Sequence, residues 1–73
     1  MKYVVVDKSS VSVDPLVHLT NGHSVILNER EVMLSRAVSG SFDERVKQMG
    51  GNIYEHAEII NLINKENWKY GNK

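Results

Sequence analysis

The stretch LTNGHSVILNERE, residues 19–31, holds a chain reversal, a strand and a helix start in thirteen residues. Asn21-Gly22 lies between two apolar runs, Leu16 to Leu19 and Val25 to Leu27. Asparagine and glycine readily take the two positive-φ positions of a type I′ turn, whose twist matches that of paired strands. The spacing therefore predicts a hairpin in which Val17 faces Ile26 and His18 faces Val25, with Leu16 and Leu27 closing the far end. Asn28 then stops the strand and starts a helix. With Glu31 three residues on, it makes a capping-box pattern, Asn standing where Ser or Thr is usual. Leu27 before the cap and Val32 after it are placed as a hydrophobic staple.

The same pattern recurs downstream. Ser41 is followed by Glu44, and Asn52 by Glu55, so three helices are predicted at 29–39, 42–49 and 53–66. Gly40 and the pair Gly50-Gly51 end the first two, because glycine accepts the left-handed conformation at a helix C-terminus. Acidic residues (Glu29, Glu31, Asp43, Glu44, Glu55, Glu58) fall in or near first turns, and Arg36, Lys47 and Lys65 fall late, which complements the helix dipole. Apolar spacing marks the inner faces as Leu34, Ala37 and Val38 on the first helix, and Phe42, Val46 and Met49 on the second. On the third they are Ile53, Ala57 and Ile60, joined by Ile63. Upstream, Tyr3 to Val6 reads as a β-branched strand with both faces partly covered. The segment from Asp7 to Asp14-Pro15 reads as a loop or a short edge strand.

The fold expected is α+β: a small antiparallel β-sheet with an Asn-Gly hairpin, followed by three short helices. One compact domain spans residues 1–68, and 69–73 form a frayed C-terminal tail. Trp68 packs back on the core in one reading. In the other it joins Tyr70, Lys65, Lys69 and Lys73 in a stacking tail for nucleic acid.

At 73 residues the chain has little room for a substrate cavity beside its core. Nine basic and nine acidic side chains cancel, which argues against a partner held by bulk charge, such as nucleic acid or an anionic membrane. There is no cysteine, hence no disulfide and no thiolate metal cage. The opening MKYVVVDKSS has an apolar run of only four residues, too short for a secretory leader or a membrane span. A cytoplasmic monomer is expected.

No residue class supplies a catalytic or metal-binding pattern. The close carboxylate pairs, Asp43-Glu44 and Glu29/Glu31, are explained by helix starts. His18, His23 and His56 lack the spacing of a zinc site. The serines lack a nucleophile-elbow context, and MGGNIYEH lacks the Lys-Ser/Thr of a phosphate-binding loop. No catalysis, no metal and no cofactor are expected. Met33 points away from the Leu34–Val38 line, either as a second core contact or as an exposed, adaptable apolar knob for a partner.

Two resemblances bear on function. LTNGHSVILNEREVMLSRAV is similar to the hairpin-to-helix junction of winged-helix effector domains, which implies DNA binding. The proposed recognition helix, NIYEHAEIINLINKE, departs from that family by carrying three glutamates against one lysine. The whole chain, in length, lack of cysteine and general character, resembles the small phage-encoded regulators of host RNA polymerase. That resemblance implies a protein that docks on the large polymerase subunits, inhibits promoter-dependent initiation and acts as an antiterminator. It carries over no site residues. From the residues themselves, the expected partner surface joins Tyr3, Val4, Val5 and Val6, as a strand edge open to β-augmentation, with Met33 and Arg36 on the first helix.

Overall fold

The computed structural model describes residues 1–11, 18–35 and 39–71. Alternation along the first strand, β1 (Tyr3–Asp7), divides the molecule. Val4 and Val6 point to one side and are fully buried, while Tyr3 and Val5 pack on the other. The remaining elements are β2 (His18–Thr20), β3 (Ser24–Asn28), α1 (Glu29–Leu34), α2 (Phe42–Met49), β4 (Asn52–Tyr54), α3 (His56–Glu66) and β5 (Lys69–Gly71). The strands form one antiparallel sheet in the order β4-β1-β3-β2-β5.

Residues directly opposite in an antiparallel pair share a face. Val4 pairs with Leu27 and Val6 with Val25, and these four join Val32 of α1 with Val46 and Met49 of α2 in one core. Val5 pairs with Ile26 on the other face, where Ile26, Ile59 of α3 and Trp68 form a second core with Tyr3, Leu19, Tyr54, Leu62 and Ile63 packed around it. The sheet is covered on both faces, α1 and α2 on one and α3 on the other. The chain is α+β as expected, but β4 lies between α2 and α3 and β5 follows α3, so the strands do not all precede the helices.

The local helix signals hold at two starts. Asn28 Oδ1 accepts from Glu31 N at 2.9 Å while Glu31 Oε1 accepts from Asn28 N at 3.0 Å. Leu27 and Val32, the staple pair, are both 0% exposed. Ser41 and Glu44 make the same reciprocal pair at the start of α2. Gly50, at φ 72°, ends α2 with its N–H on Lys47 O, and the Gly51 N–H reaches back to Val46 O, the two bonds of a Schellman motif.

The hairpin differs in register by two residues. Leu19 pairs with Ile26 and Thr20 with Val25. Asn21 Oδ1 accepts from His23 N at 3.0 Å and from Ser24 N at 2.8 Å, so its side chain replaces a backbone acceptor and makes Asn21 the first residue of the turn. Gly22 alone takes positive φ, 95°, and Gly22-His23 is the turn centre. A shift of two preserves which face each residue occupies. Leu19 thus takes the place expected for Val17, which with Leu16 lies outside the described residues.

The first helix stops at Leu34 rather than at 39. Ser35 is extended, and the Arg45 guanidinium reaches across from α2 to close the helix end. Its Nη1 donates to Ser35 O at 2.9 Å and Val32 O at 3.4 Å, and its Nε to Gly40 O at 2.9 Å. Ala37 and Val38, expected on the inner face, lie outside the described residues, and Leu34 is exposed.

The third helix starts at His56, not at 53. Asn52, Ile53 and Tyr54 pair instead with Val5, Val4 and Tyr3, so the expected cap Asn52 is a strand residue. Glu55 takes the cap position, its N–H donating to Glu58 Oε1 at 2.9 Å. With Ile53 gone to the sheet, the buried face of α3 is Ile59, Leu62 and Ile63, while Ala57 and Ile60 face outward. Trp68 packs on the core, as one reading expected, but Lys69–Gly71 form an edge strand beside β2 rather than a frayed tail.

Candidate functional site

The sheet order decides what the expected partner residues offer. β1 lies between β3 and β4, so Tyr3, Val4 and Val5 have strand neighbours on both sides. Val4 and Val6 are core residues, and Tyr3 and Val5 are half-buried under α3. Strand addition along β1 is therefore ruled out over these residues, because β4 occupies the edge a partner would need. Met33 is 42% exposed. Arg36 lies outside the described residues.

Two concave surfaces are lined mainly by apolar atoms, unlike the more polar hollow beside Thr20, Asn21 and Glu66. The first sits beside Met33. Met1, 72% exposed, lies alongside it, and with Glu29 and Arg30 the two methionines bound a shallow groove of about 400 Å³. The backbone N–H of Lys2 donates to Glu29 Oε1 at 3.3 Å, tying the chain start to the first turn of α1. Sequence reading singled out Met33 but missed Met1, because nothing local connects residue 1 to residue 33. β3 brings them together by placing the start of α1 beside the start of β1.

The second surface is on the α3 face of the sheet. Tyr3, Leu19, Ile26, Asn28, Glu31 and Tyr70 line a cleft of about 190 Å³. α3 covers Ile26 but not the far end of this face, which leaves Leu19 half-buried and Tyr70 exposed. Tyr3 also faces His56, its Oη 3.4 Å from Nδ1 and the rings 5.9 Å apart. Tyr70, expected in the tail, is 77% exposed on β5. Its place in the cleft follows from the pairing of Tyr70 with Leu19, which periodicity does not reveal.

His18 lies on β2 and is partly buried. Its Nε2 is buried with no hydrogen-bond partner among the described residues and lies 4.0 Å from Glu31 Oε2. Burial holds its pKa below the ordinary 6.5, Glu31 raises it, and Lys8 adds a further lowering. The unfolded chain therefore takes up the proton at higher pH than the folded one. His18 contributes stability that is complete above about pH 6.5 and is lost as pH falls through the lowered folded value. Urea midpoints measured from pH 7.5 to 5 should fall, and His18→Gln should flatten that slope. An equal slope in the variant would assign the loss to another group.

The carboxylates act at helix and turn ends. Hydrogen bonds from the Ser9 hydroxyl and N–H lower the pKa of Asp7, and those from the Ser41 N–H and hydroxyl lower that of Glu44. Among the described residues no three His, Asp or Glu side chains are grouped to hold a metal ion, and no helix is long and apolar enough to cross a membrane. α2 and α3 lie on opposite faces of the sheet, so they do not pack together as a helix-turn-helix pair does. No protein-family model, curated protein or solved structure matches the chain.

Proposed function

We propose that this is a non-catalytic regulator that works by occupying a surface of another protein, with bacterial RNA polymerase as the partner. The observation that supports a protein partner is the Met1–Met33 groove, two unbranched, adaptable side chains flanked by Glu29 and Arg30. Methionine adapts to irregular apolar surfaces, and a charged rim supplies orientation. The choice of polymerase, of its large subunits, and of inhibited initiation with antitermination comes from the resemblance to small phage regulators. On that reading the protein acts in the cytoplasm of a phage-infected bacterium. DNA binding is the weaker reading, since α3 carries Glu58 and Glu66 against Lys65 and lies on the sheet.

The test is transcription in vitro from a promoter with purified polymerase, alongside a DNA gel shift. Inhibition without a gel shift is expected, and moderate salt should relieve it only in part, because the contact is largely apolar. Met33→Ala should weaken polymerase binding by roughly 1–2 kcal/mol, about the value of a well-placed interface side chain. Its circular dichroism and midpoint should stay unchanged. Arg36→Ala is expected to weaken binding as well. A sequence-specific DNA shift with no effect on transcription would overturn the proposal.

A further inference from the structure

We propose that the cleft between Tyr3 and Tyr70 is a receptor for an arginine side chain of a partner polypeptide. This requires a protein partner, as the reading above does, but neither polymerase nor the Met33 surface. Three features point to a guanidinium. The walls are aromatic and aliphatic: Tyr3 on one side, Tyr70 on the other, with Ile26 and Leu19 between them. All four belong to the same face of the sheet, by the pairings of Val5 with Ile26, Ile26 with Leu19 and Leu19 with Tyr70. At one end stands the Glu31 carboxylate. Its Oε1 is committed to the Asn28 N–H, and among the described residues the basic atom nearest its Oε2 is His18 Nε2 at 4.0 Å.

That His18 is held toward its neutral form by burial, so it does not neutralise the carboxylate. Among the described residues no lysine or arginine lines the cleft. Lys69 pairs with Thr20, one residue along from the Tyr70–Leu19 pair, and so belongs to the opposite face. Among the described residues, the site offers one carboxylate without a lysine or arginine partner, beside the half-buried Tyr3 ring and the exposed Tyr70 ring.

Chemistry then selects the occupant. A purely apolar side chain would desolvate Glu31 without pairing it, and an anion would be repelled. A planar, weakly hydrated guanidinium can stack on a tyrosine face and donate to a carboxylate in the same pose. Lysine, a compact and strongly hydrated point charge, satisfies only the second requirement. Within this chain Arg45 is engaged with three backbone carbonyls whereas Arg30 is exposed, so a second copy is the competing source that the experiment must separate.

The experiment is a titration of the isotope-labelled full chain, followed by amide NMR shifts, with the blocked peptide Gly-Arg-Gly-Arg-Gly. Counterparts carrying lysine or the neutral isostere citrulline are run beside it. The arginine peptide should give saturable shifts at Tyr3, Leu19 and Tyr70. The lysine peptide should bind about fivefold more weakly, and the citrulline peptide should give no saturable shift. Glu31→Gln keeps an oxygen for the Asn28 N–H, since glutamine also serves in a capping box, and should weaken arginine binding about fivefold. Tyr70→Ala, at an exposed position, should weaken it about threefold. Equal shifts with citrulline, or arginine shifts unaffected by Glu31→Gln, would overturn the proposal. So would cleft shifts that depend on protein concentration without peptide, which would make a second copy the occupant. Because the peptide contains no polymerase sequence, the result stands apart from any transcription assay.

Discussion

Replacing Trp68 by alanine should destabilise the protein by about 3–5 kcal/mol, the usual cost of emptying a large aromatic site. Trp68 is only 7% exposed and joins Ile26 and Ile59 in the core under α3. A domain of this size has a total stability of roughly 4–11 kcal/mol. The variant should therefore lose about 15 °C or more in midpoint, and be partly unfolded if the wild-type value is at the low end. It should also loosen β5, which follows Trp68 directly. Trp68→Phe separates volume from hydrogen bonding. The indole Nε1 has no partner among the described residues, so phenylalanine forfeits no bond there and should cost about 1 kcal/mol. Thermal unfolding followed by far-ultraviolet circular dichroism reads both. An alanine variant melting with the wild type would mean that the segment from Trp68 onward is a tail.

Gly51→Ala should be the most costly single-methyl addition, at roughly 1–3 kcal/mol. A Cβ built on Gly51 would stand 2.5 Å from Cγ1 of both Val4 and Val6, and 3.1 Å from Val5 O. The two valines are 0% and 2% exposed and pack against α1 and α2, so neither can swing aside. The restricted unfolded chain returns only about 0.4–1 kcal/mol, which does not offset the clash. Gly50 supplies the control. Its φ is 72° with nothing within 4 Å of a built Cβ, and asparagine tolerates that conformation, so Gly50→Asn should cost less. Denaturant midpoints compare the two directly. If Gly51→Ala proved the milder change, the chain after α2 would not approach β1 this closely.

The candidate surfaces were unevenly legible. Met33 was identifiable because helical spacing sets it off the Leu34–Val38 line, although exposure could not be settled from periodicity alone. The cleft was invisible, since its tyrosines are residues 3 and 70 and its acid is a helix-capping glutamate. Only the sheet order places them together. The open edge expected along β1 failed for the same reason: the strand that covers it, β4, looked like the first turn of a helix.

What the residues determined by themselves are features closed within a few positions. The Asn28–Glu31 and Ser41–Glu44 boxes, the Leu27–Val32 staple, the full extent of α2 and its glycine stop all rest on contacts three to five residues apart. Such contacts have the same partners whatever the rest of the chain does. Tertiary structure decided residues 52–58, where the local pattern placed a helix start at Asn52–Glu55 and the structure places it at Glu55–Glu58. Pairing of Asn52–Tyr54 with β1, far away in the chain, selected the second. It decided equally that Lys69–Gly71 is a strand, by offering β2 as its neighbour, and that α3 buries Ile59 rather than Ile60. A strand's backbone groups find their partners across the sheet, so its existence, register and edge depend on a segment that local sequence does not contain.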